Sequence, residues 1–208
     1  MNKKKITDIL NKILVGLEGN YKISNNCLIK SPIKDIIVGF CFENSSSENM
    51  MYIWWFAQPL FVPSDTMNLT FGNRINLGEG GQLWDFSQSK TENNIKILSR
   101  EMQLIEIKEI NTLETPLNFY HNYYKNKEKN LRIYEAIVIS ASWVDLPNMD
   151  NEIENCLLFV DKNLDKTIPW IKQVVENLNL LKEKKTKEDK HTLLDRWKNE
   201  TIANLKLD

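Results

Sequence analysis

The chain has little histidine, little cysteine, few glycines and no surplus of either charge. Its 208 residues include 2 His, 3 Cys and 7 Gly, and 27 basic side chains stand against 28 acidic ones. Each scarcity removes a class of function. A nucleic-acid binder draws most of its affinity from clustered cations that neutralise phosphates. The lysine clusters here, Lys3 to Lys5 and Lys182 to Lys187, lie near helix ends with Asp8, Glu183 and Glu188 beside them. They read as solvated helix surface, so no nucleic-acid partner is expected.

Cys27, Cys41 and Cys156 are an odd number with no CxxC spacing, which argues against a disulfide framework and against a zinc site. Cys41 and Cys156 sit in apolar runs and read as small buried hydrophobes. A reducing compartment suits such a chain, and the expected location is cytoplasmic. No run approaches the ~20 apolar residues of a membrane helix, so no membrane partner is expected. Lys3-Lys4-Lys5 and the apolar stretch after them imitate a secretory signal, but Asp8, Asn11 and Lys12 interrupt it. Only 4 Ala accompany 25 Asn and 23 Lys, the bias of an AT-rich genome. Surface Asn and Lys therefore carry little functional weight.

Catalytic signatures are also missing. HExxH does not occur, and no serine has a GxSxG context. His191 stands four residues before Asp195, a spacing that favours a surface ion pair on one helical face. His121 lies among Phe119, Tyr120, Tyr123 and Tyr124, a setting for packing. Gly78-Glu79-Gly80-Gly81 lacks the lysine and hydroxyl of a phosphate loop and reads as a tight turn. No catalytic residue, cofactor or metal is expected, and the balance favours a non-enzyme.

What is present is a change of rhythm near position 90. Ile6, Ile9, Leu10, Ile13, Leu14 and Leu17 repeat at three and four residues and predict a first helix, stopped at Gly19-Asn20. Residues 21–30 fit a strand or an irregular hairpin. Asp35 to Phe42 alternates, with Ile36, Val38, Phe40 and Phe42 on one face and Ile37, Gly39 and Cys41 on the other. The polar stretch Glu43 to Asn49 is a turn, and Met50 to Gln58 returns as the second arm of an antiparallel hairpin. That arm is apolar on both faces, as a central strand is. Met67 to Phe71 predicts a further strand closed by Gly72, and Leu83 to Phe86 a short one.

Beyond Lys90 the spacing is helical. Thr91 is read as the cap of a helix carrying Ile95, Leu98, Met102 and Ile105. Thr115 caps another, with Pro116 at its first position, where a missing amide costs nothing. Residues 135–144 fit helix or strand, with helix favoured. Three more helices follow through Ile153–Val160, Ile168–Leu181 and Leu194–Leu205. The expected fold is α+β: an antiparallel sheet of four to five strands in the first half, preceded by one helix and followed by a helical second half. It is read as a single domain, 1-208, with 1-90 holding the sheet and 91-208 mainly helical.

The segment from Trp54 to Trp84 holds three of the six tryptophans. Strand parity places Trp54, Phe56 and Gln58 on one face. Arg74 is the only arginine before Arg100, and a guanidinium among apolar strand residues needs a carboxylate or a ligand. The candidate site is therefore Trp54, Gln58, Arg74, Trp84 and Asp85, weighed against a core in which Arg74 pairs with Asp65 or Asp85. The functional expectation is a non-enzymatic interaction protein, such as a bacterial accessory or immunity-type protein, that binds another protein through a preformed surface. The rivals are a small-molecule binder or unrecognised enzyme with its pocket at the sheet, and a homodimer formed through the helical half.

Overall fold

The computed structural model describes residues 1–77 and 81–207. The chain divides into two compact units, one of Met1–Gln58 with Asn68–Glu114, the other of Pro59–Met67 with Thr115–Asp208. The fold is α+β: a helix, then an antiparallel sheet, then helices to the end.

In the first unit, α1 (Lys3–Gly16) buries Ile6, Ile9, Leu10 and Ile13, the stripe expected from their spacing. The Asn2 side chain caps it by accepting the Lys5 N–H at 2.9 Å. β1 (Tyr21–Ser24) and β2 (Cys27–Lys30) form a tight hairpin. Asn25 turns it at φ 53°, a left-handed conformation that asparagine tolerates better than most residues. β3 (Ile36–Asn44) and β4 (Met50–Pro59) follow, then the short β5 (Gly72–Arg74) and β6 (Leu83–Asp85). The sheet runs β1-β2-β3-β4-β5, and β6 also pairs with β4. Ile36, Ile37, Val38 and Phe40 are all buried, so the middle of β3 is covered on both faces.

The predicted strand at Met67 to Phe71 is not one. The Gln58 side chain takes the Asn68 N–H at 2.8 Å, and the Asn68 side chain takes the Thr70 N–H at 2.9 Å. Those local bonds hold the backbone in a turn, a conformation that competes with a strand ladder. The strand starts instead at Gly72, where a Cβ would lie 1.9 Å from the Trp55 carbonyl oxygen. Only glycine permits so close an approach of β5 to β4.

α2 (Thr91–Lys108) also belongs to this unit. The Thr91 hydroxyl donates to the Phe86 and Ser87 carbonyls, so it does not act as the predicted cap. α2 runs alongside α1, linked by the Lys12–Glu92 ion pair and by Gln103 donating to the Gly16 carbonyl at 2.7 Å.

The second unit is built around α4 (Leu131–Trp143), in which every residue from Tyr134 to Ser142 is buried. A helix enclosed all round has no polar face, which is why its sequence fits strand as well as helix. α3 (Pro116–Tyr123), α5 (Met149–Asn163), α6 (Pro169–Glu183) and α7 (Lys187–Leu205) pack against it. Thr115 and Pro116 play their predicted roles at the start of α3. The Pro59–Met67 excursion adds Leu60, Phe61 and Val62 to this core. Phe61 stacks on Trp143 at 4.7 Å, and Thr201 of α7 bonds Ser64 N–H and Val62 O. Among the described residues, no helix is long and apolar enough to cross a membrane.

The cysteines correct an expectation. Cys27 and Cys41 face each other across β2 and β3 and are joined as a disulfide, while Cys156 is free and buried. Phe42 N–H donates to Asn26 O at 2.9 Å, so the next pair in the ladder is a non-hydrogen-bonded one. At such positions side chains approach closest, and the Cα atoms here are 4.2 Å apart. Sequence spacing alone carries no sign of this register.

Candidate functional site

Alternation along β4 sends Met51, Ile53 and Trp55 into the core and leaves Tyr52 and Trp54 partly exposed on the opposite face. β5 then sets Arg74 directly opposite Trp54. The guanidinium carbon lies 3.9 Å from the centre of the Tyr52 ring and 4.7 Å from that of Trp54. Both contacts have the geometry of cation–π attraction, which also orients the planar group. Nη1 donates to Gln82 Oε1 at 2.8 Å. Nε is buried and has no acceptor among the described residues. Among the described residues, no carboxylate forms an ion pair with Arg74.

The Trp54 indole N–H donates to Glu43 at 3.0 Å. This bond fixes the ring and shows that Glu43 and Trp54 project from one face. By alternation along β3, Cys41 and its partner Cys27 belong to the same face. A recess of about 400 Å³ opens here, lined by Trp54, Asn73, Arg74, Asn76 and Gln82. Among the described residues, its chemistry is one indole, one guanidinium and three amides.

The other predicted site residues lie elsewhere. Trp84 is fully buried, with its indole N–H bonded to Ile75 O at 2.7 Å. Gln58 is buried and holds the Asn68 turn. Asp85 accepts the Ser87 N–H at 2.8 Å and pairs with Lys90 at 3.0 Å. The Ser87 bonds, with Lys90, hold its carboxyl below the ordinary range. Asp65, the other acid considered for Arg74, bonds Asn204 at 2.8 Å. Sequence reasoning missed Tyr52, Asn73, Asn76 and Gln82. Tyr52 carried a usable signal, two residues from Trp54 on the same strand face; the amides carried none.

Three further polar clusters are satisfied from within. Lys30 meets Glu106 at 3.2 Å, Glu114 at 2.5 Å and Asn111 at 2.5 Å. In the second unit, Glu152 accepts from Lys127 at 2.7 Å and Tyr124 at 2.9 Å, close to the buried Cys156. Burial pushes the Cys156 thiol well up, which makes it a poor nucleophile. His191 pairs with both oxygens of Asp145 at 3.2 Å rather than with Asp195. The turn after α4 brings Asp145, at φ 54°, to α7, where Lys187 also reaches it at 2.6 Å. His121 meets Tyr120 edge-on at 5.4 Å. Gly78, Glu79 and Gly80, expected to form a tight turn, lie outside the described residues. Among the described residues, no group of three His, Cys, Asp or Glu side chains is placed to hold a metal ion.

No family model, curated protein or solved structure matches the chain.

Proposed function

We propose that this is a non-enzymatic interaction protein whose recognition surface is the open face of β4 and β5, centred on Tyr52, Trp54 and Arg74. The observation that carries this reading is the guanidinium held between two partly exposed aromatic rings with no carboxylate partner among the described residues. Tryptophan, tyrosine and arginine dominate binding hot spots, because each joins large contact area to a directed polar group. A shelf already fixed by Gln82 and Glu43 gives up little side-chain freedom on binding. An accessory or immunity-type role that engages another protein fits such a surface.

The volume of the recess favours one competing reading, a small-molecule ligand seated between Trp54 and Gln82. Site-specific photo-crosslinking separates the two. With a benzophenone side chain at Asn73, the expected result is an adduct to one protein, identified by mass spectrometry. The adduct should vanish in Arg74→Glu and be missing when the crosslinker replaces Asn126, which lies in the other unit. An adduct unchanged by Arg74→Glu, or no adduct beyond that from position 126, counts against the interaction reading.

A further inference from the structure

Arg74 has donors to spare. A guanidinium offers five N–H groups, and among the described residues one bond, to Gln82, is made within hydrogen-bonding distance. Nε–H is closed off from solvent and has no acceptor among the described residues, so those residues leave this cation incompletely paired. Buried polar groups are normally paired, and an unpaired one calls for an explanation. The Tyr52 and Trp54 rings hold the guanidinium in place, and Arg74 lines the recess. Among the described residues, the walls there are the amides of Asn73, Asn76 and Gln82, which carry no charge to repel an anion. Among the described residues, Glu43 is an acid on this face, bonded to the Trp54 indole and not ion-paired with Arg74.

We infer that the group this recess receives is a side-chain carboxylate from an acidic segment of a partner protein. This inference rests on the interaction reading above and adds its chemistry. The carboxylate takes the open Nη edge of Arg74 in a charge-assisted bond, the strongest kind available to this site. The amide side chains bond its second oxygen or the adjoining peptide groups, and Trp54 packs against the aliphatic part of the acidic side chain. Because Glu43 lies close by, it weakens the attraction and its neutralisation strengthens it.

The test uses the full chain and two blocked peptides, N-acetylated and C-amidated hexaglutamate and hexaglutamine, titrated to millimolar concentration at low salt. The signals followed are the Trp54 indole N–H and the Arg74 Nε–H in nitrogen-15 spectra. Hexaglutamate is expected to shift both and hexaglutamine neither. Arg74→Gln should weaken hexaglutamate binding by about tenfold or more, the loss of one charge-assisted bond. Glu43→Gln should tighten it by about two- to threefold, as removal of one like charge at a screened surface does. Equal binding of the two peptides, no response to hexaglutamate, or an undiminished affinity in Arg74→Gln overturns the inference. If any of these occurs while the Asn73 cross-link persists, the protein partner stands and its contact chemistry is different. If the cross-link fails as well, the interaction reading fails with it.

Discussion

Replacing Gly72 by alanine should loosen the edge of the sheet that carries Arg74. An ideal Cβ at this position would sit 1.9 Å from Trp55 O and 2.8 Å from the Phe56 Cα, both backbone atoms that no rotamer change can move. Relief requires β5 to retreat by more than an ångström. The bonds flanking it, Ala57 N–H to Phe71 O at 2.8 Å and Ile75 N–H to Ile53 O at 2.7 Å, then stretch or break. Two weakened hydrogen bonds at about 1 kcal/mol each, with overpacking of about 1–3 kcal/mol, give a loss of roughly 3–5 kcal/mol. At a urea slope of about 2–3 kcal/mol per molar, the unfolding midpoint falls by about 1–2 M. The same change at Gly16 is the control. Its Cβ would meet only the Ser99 side chain: Oγ at 3.1 Å can rotate away, and Cβ at 3.3 Å needs a shift of only a few tenths of an ångström, so the expected change is small. Urea unfolding followed by circular dichroism reads both variants, and the Trp54 indole signal reports the shelf. Gly72→Ala matching the unaltered protein in midpoint, with an unmoved indole signal, would refute the close-approach argument.

Two other outcomes follow from groups inside the protein. Glu135 is fully buried and its carboxyl is pushed up by desolvation, with Arg132 at 2.9 Å and Asn177 pulling the other way. The folded state then holds this proton to higher pH than the unfolded chain does. Its contribution is complete below the unfolded value of 4.5 and is lost as pH rises through the folded value, at no more than about 1.4 kcal/mol per pH unit. Glu135→Gln should flatten that part of a thermal-stability profile, and a profile with the same slope would contradict it. Cys27 and Cys41, 14 residues apart, close a loop for which about 3 kcal/mol of stabilisation is typical. A thiol titration in non-reducing denaturant should find Cys156 alone, and reduction should lower the urea midpoint; three free thiols would refute the bond.

The element types were legible in the sequence because hydrophobic period reports which face is buried. α1, the β3–β4 hairpin and the helices after Thr115 all follow from it. The failures share a cause, since each depends on contacts between segments far apart in the chain or on side-chain bonds that override period. Asn68 and Gln58 hold a turn where alternation predicts a strand, and Cys27 meets Cys41 only because β2 pairs in one register with β3. The site divided the same way. Trp54 and Arg74 were singled out by residue type, and the register of β5 set them opposite each other. Trp84 was singled out by the same residue type and Asp85 as an acid for Arg74, yet pairing of β6 with β4 places Trp84 in the core and leaves Asp85 bonded to Ser87 and Lys90 ahead of α2.

The excursion between β4 and β5 has a bearing on how the chain matures. Leu60, Phe61 and Val62 leave the ribosome long before Trp143 and Thr201, the residues that shelter them. A nascent chain that has finished its sheet strands therefore carries a greasy loop with nowhere to go until the last helix is made. A shortened product ending at Glu114 would keep that loop permanently uncovered, and aggregation would be its fate.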